Sequence, residues 1–101
     1  MTEEEAGPQL EGLRAQIDVV DREIVKLLNE RMRTVEEIGR IKRLAHLPIY
    51  EPKRESEVFA NVIGANGGPL PPDGLRRVFE RIIDEARTVQ RTRMQADGGK
   101  P

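Results

Sequence analysis

The sequence predicts an all-α fold of three helices, long, short and medium, and three observations carry that expectation. Residues 10 to 44 contain no proline and place apolar side chains at Leu13, Ile17, Val20, Ile24, Leu28, Val35, Ile38 and Ile41, in steps of mostly three and four. That period marks one stripe of an α-helix. Pro48 and the segment 64–72, GANGGPLPP, break the remainder into two further helical patterns, because glycine and proline clusters punctuate regular structure. No stretch shows the two-residue alternation of a half-buried strand.

Taken in order, residues 1–9 are expected to form a disordered tail, with an acidic run and Pro8 ahead of the first helix. The first helix is expected over 10–44, a rod of about 50 Å. A compact chain of ~100 residues has a radius of gyration of only ~13 Å, so this rod is longer than a monomer needs. Glu36 and Arg40, four residues apart, read as a supporting pair on its solvated face. The helix should stop near Leu44 or Ala45, because Leu47 precedes Pro48 and a residue before proline is pushed out of the helical region. Pro48-Ile49-Tyr50 reads as an extended connection. Pro52 opens the second helix at its first position, where a missing N–H costs nothing. Val58, Phe59, Val62 and Ile63 form its apolar row. After the turn at 64–72, Asp73 is expected to cap the third helix. That helix covers about 73–94, with a stripe of Leu75, Val78, Phe79, Ile82, Ala86 and Val89 and with Ile83 beside it. Residues 95–101 are expected to be a disordered tail, leaving one domain over 10–94. The second and third helices alone cannot cover the first, so the simplest closure is a homodimer in which two chains pack their long helices together.

Composition excludes several classes of function. Lys and Arg number 17 against 18 Asp and Glu, a formal net charge of −1, which argues against a nucleic-acid or membrane-surface partner. There is no cysteine and a single histidine, His46, so neither a disulfide frame nor a metal centre is expected. The acidic N-terminus lacks the apolar run of a signal peptide, and nothing approaches the ~20 apolar residues of a membrane span. A cytoplasmic protein is expected. Ser56 has no base near it in sequence, and there is no glycine-rich phosphate loop.

The chemistry lies where the apolar stripe is interrupted. Continuing its spacing from Leu28 brings Arg31 and Lys42 to inward positions, eleven residues apart and therefore on one face, about 16 Å apart along the axis. An unpaired buried cation costs several kcal/mol, so an anion is expected to meet them. Glu55 shares the inward face of Val58 and Phe59, Arg54 borders it, and Gln90 follows Ala86 by one turn at the edge of the third stripe. Arg14 and Glu51 lie at the margins. Such a set can bind a small dianion and stabilise negative charge developing on an oxygen, with no covalent help from the protein and no cofactor. Tyr50 reads as a loop anchor. Arg76, Arg77, Arg87, Arg91 and Arg93 read as a solvated face.

The run LRAQIDVVDREIVKLLNERMRTVEEIGRIKRLAHLPIYEPKRE resembles the AroQ class of chorismate mutases, the all-helical type II enzymes. The matching pattern is LR-x-x-ID-x-x-D-x-x-(I/L)-x-x-L-x-x-R, then (I/V)G-x-x-K, a proline, a D/E-x-x-RE group and a late glutamine, together covering residues ~10 to 91. The resemblance implies an intertwined homodimer with two shared active sites, and rearrangement of chorismate to prephenate on the route to phenylalanine and tyrosine. It implies that Arg31 grips one substrate carboxylate and that Arg14 reaches another from the partner chain. Lys42 and Gln90 would donate to the ether oxygen, Glu55 would accept from the ring hydroxyl, and Arg54 would help neutralise a carboxylate. Glu51 stands at a position that is often Asp, and Ala86 at one that can be Ser, where a hydroxyl contact is missing. Gln90 is neutral where a Glu would need a proton to donate, so activity is expected to hold through neutral and mildly alkaline pH. An isochorismate pyruvate lyase or a 4-amino-4-deoxychorismate mutase would keep the same cations. A non-catalytic helical dimerisation or regulatory module is the alternative of another class.

Overall fold

The structure is a computed structural model that describes the backbone of residues 1–98 and the side chains of residues 1–93. Three helices follow one another: α1 over Glu3–Leu44, α2 over Pro52–Ala65 and α3 over Pro72–Gly98. There is no strand among the described residues. The chain divides into two compact units, Met1–Arg33 and Thr34–Pro101.

The first unit consists of the N-terminal part of α1. The helix begins at Glu3, seven residues before the expected start, and the residues of the expected tail explain why. Thr2 accepts a hydrogen bond at its Oγ1 from the Glu5 N–H, 3.1 Å, and donates from the same hydroxyl to the Glu5 carboxylate, 3.1 Å. Thr2 is thus a side-chain N-cap that satisfies one of the orphan N–H groups of the first turn, with its hydroxyl held in place by the Glu5 carboxylate. Glu3, Glu4 and Glu5 also put negative charge in the first turn, where the helix dipole favours it. These contacts offset the hydrogen bond lost at Pro8, which lies inside the helix. The apolar stripe is present as the spacing predicts, and it is open: Leu10, Leu13, Ile17, Val20 and Ile24 remain 45–57% exposed.

The second unit begins with the last turns of α1. Its buried positions there are Val35, Gly39 and Lys42, at i, i+4 and i+7, so they share one face. Ile38, placed on the stripe by its spacing, is exposed instead. Gly39 takes the centre of the face because α3 comes close to its backbone: a Cβ built there would lie 3.2 Å from Cγ of Gln90. Helix α1 ends at Leu44 through a two-bond cap, with Leu47 N–H donating to Lys42 O at 2.8 Å and His46 N–H to Arg43 O at 3.3 Å. His46 takes the left-handed conformation that this cap requires, φ 56°. The stop is therefore made at His46 as well as by the restriction that Pro48 imposes.

Helix α2 starts with Pro52 at its first position, as expected, and runs to Ala65, two residues past the expected end. Helix α3 starts at Pro72, which puts Asp73 inside the first turn rather than at the cap; its carboxylate still meets the positive end of the dipole. Arg76 lies over the Phe59 ring, 4.3 Å from its centroid, and Arg87 bonds to Glu55. Rising numbers in α2 thus meet falling numbers in α3, so the two helices pack antiparallel. The buried stripe of α3 is Ile83, Ala86 and Gln90, while Val78 is half exposed. The stripe is thus turned toward Ile83, which the spacing put at its side. Arg40 bonds to Glu37 rather than to Glu36, and this hydrogen bond holds the Glu37 carboxyl below its ordinary pKa. Glu36 instead lies 3.8 Å from Arg93. Helix α3 extends through Gly98, beyond the expected end at 94, and residues 99–101 of the expected tail lie outside the described residues.

Candidate active site

The second unit holds six of the candidate site residues, Lys42, Glu51, Arg54, Glu55, Ala86 and Gln90, and among them Lys42 is one of two that are both polar and buried. It sits on the buried face of α1, 7% exposed. The ammonium donates to the carbonyl of Ile49, 3.0 Å, and pairs with Oε1 of Glu51 at 2.5 Å. The anion that a buried cation demands is thus supplied within the chain, nine residues on. The cap at His46 and the connection through Pro48 return the chain to the helix it has just left. Glu51 occupies the N-cap position of α2 but makes no side-chain cap bond, since its carboxylate is engaged by Lys42. An ammonium carries three donors; two are engaged here, which leaves one for a ligand acceptor.

Gln90 is the second buried polar group, also 7% exposed. Its Nε2 donates to the carbonyl of Val35, 3.3 Å, and its aliphatic part lies against Gly39. The side chain therefore rests on α1 one turn before Lys42. One amide N–H is engaged, and the other remains to donate. Ala86 is buried one turn before Gln90 in α3, and its methyl adds packing without a polar group.

Glu55 is half-buried on the inward side of α2, as its spacing from Val58 and Phe59 predicts. Its Oε1 accepts from Nη2 of Arg87 at 2.9 Å. Sequence reasoning assigned Arg87 to a solvated face; the structure turns it inward against Glu55 and 5.6 Å from the centroid of the Tyr50 ring. No periodic signal could link residues 32 positions apart on two helices. Arg54 is exposed and 3.4 Å from Glu57, a surface pair of the kind that contributes little. Tyr50 is exposed, held beside Arg87. In the first unit Arg14 is exposed and Arg31 is half-buried. Among the described residues no group of three His, Cys, Asp or Glu side chains could hold a metal ion, and no helix is long and apolar enough to cross a membrane.

The class defined by these features is an all-helical protein with buried ammonium and amide donors and a half-buried carboxylate. The chain matches the family model for chorismate mutase type II over residues 13–91, and it belongs to that family. It is 40% identical to a chorismate mutase of Thermus thermophilus, with a TM-score of 0.80 over 82% of this chain and 94% of that one. A chorismate mutase from Helicobacter pylori, solved in complex with prephenate, matches with 31% identity and a TM-score of 0.80, covering 87% of this chain and 96% of that one. A bifunctional chorismate mutase/prephenate dehydratase of Aquifex aeolicus is 38% identical over 87 residues, 82% of this chain. This chain spans 24% of that relative's length, so the match concerns one part of a longer protein.

Proposed function

We propose that this chain is a chorismate mutase, an isomerase that converts chorismate to prephenate in aromatic amino acid biosynthesis, working as a cytoplasmic homodimer with its catalytic domain over 10–94. The observation that carries this is the pair of buried donors, Lys42 and Gln90, each 7% exposed and each with an N–H to spare. The rearrangement breaks the ether C–O bond as a new C–C bond forms, with no proton removed and no covalent intermediate. Negative charge grows on the ether oxygen as that bond breaks. A cation and an amide aimed at this oxygen bind the transition state more strongly than the ground state, which is what accelerates a reaction.

The other residues would hold the substrate in its compact, reactive conformer. Arg31 would take one carboxylate, Arg14 of a second copy the other, and Arg54 would add positive charge near them. Glu55 would accept from the ring hydroxyl, and Glu51, engaged with Lys42, would make a hydroxyl contact at its other oxygen. Ala86 would contribute shape alone. Clamping both carboxylates turns a floppy molecule into a near-attack conformer. Dimerisation is supported by the exposed stripe from Leu10 to Ile24, an apolar surface of a kind that soluble monomers rarely leave open and that a second copy would cover with the same patch in a twofold arrangement.

The test is an assay of chorismate disappearance with prephenate identified as product, run beside isochorismate and 4-amino-4-deoxychorismate. Lys42→Ala should lower kcat by about 100- to 1000-fold, as loss of one developing-charge donor does, and Arg31→Ala should chiefly raise KM. A wild-type chain that turns over none of the three substrates would overturn the proposal in favour of a binding or regulatory module.

A further inference from the structure

The residue that the proposed mechanism leaves unused is Arg87, and its surroundings are unlike those of a surface arginine. Its side chain is 28% exposed and that of Glu55 22%, so the bond between them, 2.9 Å, is largely shielded from water. The same Nη2 lies 3.5 Å from Oδ1 of Asp84, one turn earlier in α3. The guanidinium also stands over the Tyr50 ring, 5.6 Å from its centroid, a cation–π distance. Asp84 and Tyr50 thus brace the guanidinium from its own helix and from the connection ahead of α2. Its Nε–H is buried and has no partner among the described residues. Leaving a buried donor unmet is unfavourable, so the geometry favours the bond to Glu55 over full satisfaction of Arg87 itself.

Resting on the function proposed above, we propose that Arg87 is a positioning residue for Glu55. It engages Oε1 and fixes the carboxylate plane so that Oε2 is presented to the substrate's ring hydroxyl. A glutamate has three rotatable side-chain bonds, and a hydroxyl acceptor must be held to within a few tenths of an ångström to help the reactive conformer. The neighbouring Arg54 cannot take over the role, being exposed and 3.4 Å from Glu57. Arg87 touches no reacting atom and acts through Glu55.

A double-mutant cycle on the full chain tests this, with kcat and KM measured for chorismate in wild type, Arg87→Leu, Glu55→Gln and the double variant. Arg87→Leu should lower kcat/KM about tenfold, since small misplacements of catalytic groups are amplified in rate. In the Glu55→Gln background the same change should alter kcat/KM less than about twofold, because the group it orients is already impaired. Arg87→Lys, which keeps a charged donor toward Oε1, should recover part of the loss. Thermal melting of each variant separates these effects from unfolding. If Arg87→Leu proves unstable, Arg87→Met serves in its place, keeping the length of the aliphatic stem while removing every donor toward Glu55. Equal effects of the Arg87 change in both backgrounds, or full activity of Arg87→Leu, would overturn the positioning role while leaving the mutase proposal intact. A wild-type chain inactive on chorismate would overturn both.

Discussion

Gly39→Ala is the most discriminating single change, because two opposing effects can be weighed from the structure. Gly39 lies inside α1, where replacing glycine by alanine gains about 1 kcal/mol of helix propensity. Against this, the new Cβ would stand 3.2 Å from Cγ of Gln90, 3.6 Å from its Cβ and 3.8 Å from its Cα. Favourable carbon contacts begin near ~3.5 Å, so only the first is too close. Relief requires the Gln90 side chain to shift by about 0.3 Å or more. Inserting a methylene-sized group into a packed site costs about 1–3 kcal/mol. The net change should be a loss of about 0–2 kcal/mol. Near the melting temperature, 1 kcal/mol corresponds to about 4–8 °C for a domain of this size. The functional effect should exceed the structural one. The displaced group is the amide that donates to Val35 O and, in the proposed mechanism, to the ether oxygen. Removing a whole donor costs about 100- to 1000-fold, so a partial displacement should lower kcat about tenfold. Urea titration with steady-state kinetics of Gly39→Ala, Gln90→Ala and the double variant would decide. In the Gln90→Ala background the 3.2 Å contact is gone, and Gly39→Ala should stabilise by about 1 kcal/mol. If Gly39→Ala alone stabilises by that amount and keeps full activity, the close approach of α3 does not set the position of Gln90.

Three further outcomes are expected. Wild-type kcat should stay level from neutral to mildly alkaline pH because Gln90 has no proton to lose; Gln90→Glu should be active only while its carboxyl is protonated, so its kcat should fall as pH rises through about 4–6, and a level profile for that variant would remove Gln90 from the donor role. His46→Gly should raise stability by about 0.5–1 kcal/mol in urea unfolding, because the left-handed φ of 56° costs a residue with a Cβ about 1–2 kcal/mol, partly offset by the greater unfolded-state freedom of glycine. Wild type should sediment as a dimer, and Ile17→Glu combined with Ile24→Glu should yield monomer with little activity at low concentration, since each buried isoleucine contributes about 1.5–3 kcal/mol and the change occurs twice in a twofold interface; a monomeric wild type with full activity would remove Arg14 of a second copy from the mechanism.

The three helices are legible because periodicity and proline placement act locally, and the same is true of the inward turn of Lys42 and Glu55. The boundaries are less so, since they are set by side-chain and backbone caps that hydropathy spacing does not register. The Thr2 cap carries α1 back to Glu3, and His46 closes it by adopting a conformation unusual for its residue type. In the last turns of α1 periodicity places Val35 and Lys42 inward, where the structure buries them with Gly39, but it also counts Ile38 and Ile41, which the structure leaves 43% and 52% exposed. A glycine contributes nothing to an apolar count, yet it is the residue that admits Gln90.

The partners of the two key charges divide along the same line. Lys42 required an anion on energetic grounds alone, and Glu51 meets that requirement at 2.5 Å after a nine-residue excursion. Glu51 is about half exposed while the Lys42 side chain is 9% exposed, so water reaches the pair chiefly from the carboxylate side, and two of the three ammonium donors are engaged. Glu55 raised no such demand, since a half-buried carboxylate at a helix edge can be hydrated. Its pairing with Arg87 across 32 residues answers the demand of the guanidinium, 28% exposed, and on the proposal above it also orients the carboxylate. Fixing the carboxylate costs side-chain entropy, which the bond to Arg87 offsets in the free chain, so a substrate hydroxyl that binds there does not meet that cost again.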